Sequence, residues 1–254
     1  MLLVISPAKS LELEKKIPFA DTTQHFFQKE TQELMGLLKK LKAKDLSSLM
    51  DISPALSLLN FDRNQQFANP FPPDLSRPCI FTFDGEVYNG LDAFTMKKKD
   101  VLFAQKHLRM LSGLYGVLKP LDMMMPYRLE MGTSLKNKKG KNLYAFWGEK
   151  ITDFINEEMK NMDTDILLNL ASSEYFQAIH PKKIKGKIIE IQFKEKKGND
   201  YKMIGFTAKK ARGLMSRFII DHQLNKVEDL KAFNIENYAY HVTLSNEDKM
   251  VFVR

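Results

Sequence analysis

Leu111-Ser112-Gly113-Leu114-Tyr115-Gly116-Val117-Leu118-Lys119-Pro120-Leu121-Asp122, with Pro126-Tyr127-Arg128-Leu129-Glu130-Met131-Gly132 close behind, gathers spaced glycines, prolines, phenols, a guanidinium and two carboxylates in one segment. Neither a plain amphipathic helix nor a plain buried strand calls for that mixture, so the segment reads as a shaped site. Gly113 and Gly116 bracket an apolar-aromatic pair. That suits a tight turn whose backbone N–H groups point outward at an anion, because glycine accepts positive φ without penalty. Two readings compete. The hydrophobic-x-Gly-hydrophobic-x-Gly spacing of Leu111 to Gly116 matches the turn of a helix-hairpin-helix DNA-binding element, whose N–H groups meet the phosphate chain. Arg109 to Ser112 also reads as a strand leading into the turn, and Pro120 stops any helix that follows.

Leu2-Leu3-Val4-Ile5 is a short apolar run ended by Ser6-Pro7, the profile of a buried strand feeding a loop, with Lys9 just beyond the strand end. Thr22 to Lys42 has helical spacing with a lysine-rich solvated face, and Asp45 and Ser53 each suit a helix cap, with Pro54 at the first helical position after Ser53. Four prolines from Pro70 to Pro78 impose an extended loop. Cys79 to Phe83 reads as a strand ended by Asp84-Gly85, Lys97 to Leu108 as a helix, and Asn142 to Met159 as a helix capped by Asn142. Ile166 to Leu170 is another buried strand, and Ala171 to Phe176 a loop turning into a helix. Ile188 to Phe193 and Lys202 to Phe206 read as a hairpin, Ala208 to Leu224 as a helix, and Tyr238 to Val253 as a closing hairpin. Strands and helices mix without strict alternation, which predicts a single α+β domain over residues 1–254, a mixed sheet with surrounding helices, rather than a doubly wound sheet.

Of the 254 residues 44% are hydrophobic, enough for a real core without staples. The lone Cys79 excludes an internal disulfide and reads as a small buried hydrophobe in a reducing compartment. The first residues lack the basic leader of a secretory signal, and no apolar run reaches membrane-spanning length, so a cytoplasmic location without membrane association is expected. Lysines and arginines outnumber acids 39 to 31, a net charge of +8, which makes polyanions or phosphorylated small molecules plausible partners.

No Walker loop, three-glycine dinucleotide turn, zinc spacing or serine elbow occurs, so those enzyme classes and their cofactors are not expected. The five histidines are scattered, and no tightly bound metal is expected. Cations that could face phosphate include Lys9, Lys119, Arg128, Lys209, Arg212 and Arg217. A competing constellation sets Lys9, Asp84, Glu86, Tyr88, Tyr115, Asp122, Arg128, Glu130, Asn169, Glu174 and Arg217 at strand ends, a pocket for acid-base chemistry on a phosphorylated or nucleobase-containing small molecule. Tyr115, Glu130 and Glu174 are its proton-transfer candidates. A closed pocket with convergent carboxylates favours that enzyme, and an open groove as wide as a duplex favours DNA.

Several stretches resemble the YaaA family of peroxide stress proteins nearly end to end: Ile5 to Lys9, Phe83 to Leu91, the whole of Leu111 to Gly132, Phe146 to Gly148, Asn169 to Tyr175 and Arg212 to Arg217. The resemblance implies a cytoplasmic bacterial protein of the hydrogen peroxide response that limits unincorporated iron and so limits oxidative damage. It also implies an α+β fold with a basic cleft, a helix-hairpin-helix-like element, and binding to double-stranded or structurally irregular DNA. Carried onto this chain, the hairpin falls on Leu111 to Gly116, including Gly113, Leu114, Tyr115 and Gly116. The cleft then comprises Lys9, Tyr115, Lys119, Arg128 and Arg217. Lys119 stands where the family usually has arginine, which keeps the charge and loses the bidentate fork.

Overall fold

A computed structural model describes residues 1–254. The strands are β1 (Leu2–Ile5), β2 (Ser10–Leu11), β3 (Arg77–Pro78), β4 (Phe83–Asp84), β5 (Leu108–Ser112), β6 (Gly116–Leu118), β7 (Met123–Met124), β8 (Ile166–Leu170), β9 (Lys187–Lys197), β10 (Asp200–Lys202), β11 (Ala239–Tyr240) and β12 (Lys249–Val253). The helices are α1 (Gln28–Leu38), α2 (Ala43–Met50), α3 (Pro54–Gln66), α4 (Glu86–Leu91), α5 (Lys98–His107), α6 (Leu143–Trp147), α7 (Lys150–Asn161), α8 (Ser173–Phe176) and α9 (Gly205–Asp221).

An eight-stranded sheet runs in the order β11-β12-β9-β8-β1-β5-β6, with β10 paired to β9 off that path. Its five central strands, β12-β9-β8-β1-β5, are mutually parallel, and only β6, β10 and β11 pair antiparallel. The sheet is mixed, as expected, but its centre is parallel, so the architecture is α/β and the α+β expectation is corrected. The connections β1 to β5, β8 to β9 and β9 to β12 each carry helix: α1 to α5 before β5, α8 before β9, and α9 before β12. Several helices in one crossover hide the alternation from a linear reading while leaving the strands parallel.

β1 lies between β5 and β8, Val4 pairing with Arg109 on one side and Asn169 on the other. That explains its unbroken apolar run, because a strand covered on both faces has no solvent side to alternate toward. One cluster of 63 buried apolar residues runs from Met1 to Phe252 and includes Cys79, whose thiol donates to the Lys119 carbonyl at 3.0 Å.

The helix-hairpin-helix expectation at Leu111 to Gly116 is overturned. β5 and β6 form an antiparallel β-hairpin, with Ser112 opposite Gly116. Gly116 takes φ +69°, and the Ser112 hydroxyl accepts from the Tyr115 N–H at 3.0 Å, closing the turn from within. Leu114 and Tyr115 are wholly buried. Gly113 is buried too, and its carbonyl accepts the indole N–H of Trp147 at 3.0 Å. The turn points into the core, so its N–H groups meet no external phosphate.

Cys79–Phe81 is a 3-10 turn, and only Phe83–Asp84 behind it is strand. The helix expected from Asn142 is capped there, the side chain accepting from the Ala145 N–H, but it breaks at Gly148 with φ +50° and resumes as α7. Ser53 caps α3 with Pro54 at its first position, as expected, while Asp45 sits inside α2 and accepts from the Lys42 N–H at 2.9 Å.

Candidate functional site

From β1 the chain proceeds to β5 on one side of it, whereas from β8 it proceeds to β9 on the other. Connections therefore diverge between β1 and β8, and in a parallel sheet the carboxyl ends of two such strands open a crevice. Ser6 follows β1, and Ala171 to Glu174 follow β8. The two strand ends are stitched together there: the Ser172 N–H donates to the Ser6 hydroxyl at 2.9 Å, and the hydroxyls of Ser6 and Ser172 lie 3.2 Å apart. The Tyr88 hydroxyl donates to the Ser6 carbonyl at 3.0 Å. Above them is a cavity of about 290 Å³ whose polar lining includes Lys9, Asp84, Glu86, Glu174, Lys209 and Arg212.

The strap Tyr127 to Gly132 borders this cavity through a contiguous niche that shares Lys9 and Tyr175. Glu130 bridges two cations, with one carboxylate oxygen 2.7 Å from Lys9 Nζ and the other 3.1 Å from the Arg128 guanidinium. Glu174 accepts from the Gly132 N–H at 3.0 Å, which ties α8 to the strap. Burial holds the Tyr88 and Tyr175 phenols well above their ordinary range, with Glu174 and Glu130 adding to the effect at Tyr175. Both phenols therefore stay protonated, and that of Tyr88 donates to the Ser6 carbonyl.

α9 supplies the remaining wall. Gly213 packs on the Val87 carbonyl of α4, where any side chain would overlap backbone, so the two helices meet at close range. This brings Phe206, Lys209 and Arg212 to the loop Asp84-Gly85-Glu86. Arg212 makes no ion pair and its side chain makes no hydrogen bond. Burial depresses its pKa, and the charge of Glu190 offsets this only in part. A partly desolvated guanidinium with idle donors is poised for an anion.

Arg212 also borders a larger open groove of about 1360 Å³. That groove carries Asp165, Glu190, Glu247 and Asp248 against Lys187 and Arg212, an acidic balance unsuited to a duplex backbone.

Of the residues expected at the site, Lys9, Asp84, Glu86, Tyr88, Arg128, Glu130 and Glu174 come together. Asn169 lines the open groove instead. Tyr115 is removed from the chemistry: its hydroxyl donates to the Met125 carbonyl at 3.1 Å and accepts from the Met125 N–H at 2.9 Å, wholly inside the core. Lys119 follows β6, which runs antiparallel, so it lies at the opposite end of the sheet, where it pairs with Glu158 at 2.8 Å beside buried Arg109. Arg217 holds Asp221 at 2.8 Å and donates to the carbonyls of Leu91 and Asp92, fastening the end of α4. The cations read from sequence as one cleft are thus divided among separate places.

Ser6, Ser172 and Phe206 escaped the sequence reading. The two serines had a usable signal, since each stands within two residues of the end of a buried apolar strand. Phe206 had none: it was expected at the end of a hairpin strand from Lys202, whereas that strand stops at Lys202 and Phe206 lies in the first turn of α9. No group of three or more His, Cys, Asp or Glu side chains comes together in a way that could hold a metal ion. No helix is long and apolar enough to cross a membrane.

A family model described as peroxide stress protein YaaA matches residues 1–244. The chain is 48% identical over 254 residues to a UPF0246 protein of Saccharophagus degradans, covering 100% of this chain and 99% of that protein. It is 47% identical to a UPF0246 protein of Alteromonas mediterranea, with 100% and 98% covered, and 48% identical to one of Flavobacterium psychrophilum, with 100% of both covered.

Proposed function

The chain belongs to the YaaA family of peroxide stress proteins, and from that premise we propose that it serves the oxidative stress response by binding a phosphorylated small molecule between β1 and β8. The observation that carries this reading is Arg212, a guanidinium with no partner in the wall of a cavity of about 290 Å³ at the carboxyl ends of two parallel strands. Lys209 and Lys9 add positive charge, and the hydroxyls of Ser6 and Ser172 offer neutral hydrogen bonds at the floor. Glu174 in the cavity lining is the group placed to exchange a proton with a bound ligand, and Glu130, paired with Lys9 at 2.7 Å, lines the adjoining niche. In this reading the limitation of iron-driven damage follows from what happens to that ligand, not from iron held by the protein.

Isothermal titration calorimetry of inorganic phosphate, sugar phosphates and nucleotides tests the reading, with Arg212→Ala alongside. Saturable binding that the variant weakens about tenfold or more is expected, as for a lost charge-assisted hydrogen bond pair. Absence of any phosphorylated ligand, or indifference to Arg212, sinks it.

DNA binding is a second reading with its own support. α2 and α3 form a helical pair joined by the short turn Asp51–Ser53, and Lys39, Lys40, Lys42 and Lys44 stand exposed at or beside its start. Fluorescence anisotropy with plain and mismatched duplexes tests it: neutralising those lysines should abolish binding while Arg212→Ala leaves it intact. Equal binding by the lysine variant ends this second reading.

A further inference from the structure

The opposite end of the sheet holds a second cavity, about 650 Å³ in volume, which shares no lining residue with the one between β1 and β8. Its size is that of a site for a small organic ligand. One wall is aromatic. Phe26 is 67% exposed, an unusual position for a phenylalanine, and its ring centroid lies 5.0 Å from Phe154 and 5.0 Å from Phe27, both buried. Facing these rings are four carboxylates, Asp122, Asp153, Glu157 and Glu158, and two lysines, Lys119 and Lys150.

The lysines are spent on other partners. Lys119 pairs with Glu158 at 2.8 Å, and Lys150 pairs with Glu30. Asp153 and Glu157, one turn apart on α7, make no ion pair. In a chain of net charge +8, this cavity thus keeps uncompensated negative charge beside exposed aromatic surface. The Lys119 ammonium already stands 5.9 Å from the Phe154 centroid, so the protein itself places a cation over that ring.

We propose that this cavity binds a small organic cation, an alkylammonium or quaternary amine whose body lies on the exposed Phe26 ring and whose charge faces Asp153 and Glu157. Ring quadrupoles attract such cations, more strongly as they lose water, and the carboxylates exclude anions of the kind proposed for the other site. The two sites therefore select ligands of opposite charge at opposite ends of the same strands.

The test is calorimetric titration of the full chain with benzyltrimethylammonium, and with neutral 3,3-dimethylbutan-1-ol as control. Saturable binding of the cation alone is expected, weakened about tenfold by Phe26→Ala and by the pair Asp153→Asn and Glu157→Gln. These side chains are exposed, so the variants should fold, and circular dichroism verifies that they do. Arg212→Ala should leave cation binding unchanged. Equal binding of the neutral control, no saturable heat at millimolar cation, unchanged affinity in either cavity variant, or loss of binding in Arg212→Ala overturns the proposal.

Discussion

At the scale of single residues, His25 shows most clearly how burial sets chemistry. It is 4% exposed, stacked on Phe71 at 5.2 Å and edge-on to Tyr115 at 5.0 Å, and neither ring nitrogen has a partner. Burial lowers its pKa from 6.5 to about 4. The unfolded chain therefore binds a proton between those values that the folded chain refuses, so this residue's contribution to stability is present above pH 6.5 and is lost as pH falls toward 4. We expect urea denaturation to register a loss of about 2 kcal/mol between pH 7 and pH 5 from this residue, and His25→Leu to flatten that slope. Tyr115→Phe should cost about 1–3 kcal/mol by leaving the buried Met125 N–H without an acceptor, with no change in ligand binding. Lys9, Arg128, Glu130 and Glu174 were legible in sequence because each lies near a buried apolar run or a turn signal. Tyr115, Lys119 and Arg217 misled, since residue identity does not tell whether a turn faces water or core, and the partners that occupy Lys119 and Arg217, among them Glu158 and the Leu91 carbonyl, lie far along the chain.

Among elements, the crossing of α4 and α9 controls the pocket, because Arg212 and Lys209 ride on α9 while Glu86 opens α4. Gly213→Ala places a methyl group against the Val87 carbonyl and must push the helices apart. The expected outcome is a loss of about 1–3 kcal/mol in urea denaturation together with weaker binding of phosphorylated ligands, the signature of a wall displaced. Ser53→Ala is the contrasting case. It removes the cap that accepts the Leu56 N–H at 3.3 Å, costs about 1 kcal/mol, and leaves the pocket's affinity as it was. Helix caps and apolar strands could be read locally, which is why Asn142, Ser53 and β1 were placed correctly. The 3-10 turn at Cys79–Phe81 could not, since tertiary packing there overrides an apolar run, while the break at Gly148 is a positive-φ glycine helix stop that the continuing apolar periodicity concealed.

For the whole molecule, salt separates the two functional readings. A small phosphorylated ligand held by a few groups should lose less than about tenfold in affinity between 50 mM and 200 mM salt, whereas DNA held by six or more phosphate contacts loses about 10³-fold. Parallel titrations of nucleotide and duplex across that range decide which interaction is specific. The mixed sheet was legible in the sequence as a set of strands, but its parallel centre was not, because neighbours such as β1 and β8 are separated by many intervening elements.

That separation also has a consequence for biosynthesis. Val4 emerges from the ribosome 105 residues before Arg109 and 165 before Asn169, the two positions that flank it in the finished sheet. Until Leu170 has been made, the strand at the middle of the protein is an apolar ribbon with one or both edges bare, a template for mispairing with other nascent chains. Until those partners arrive, shielding of its bare edges, rather than the stability of the finished sheet, is what guards this strand against mispairing.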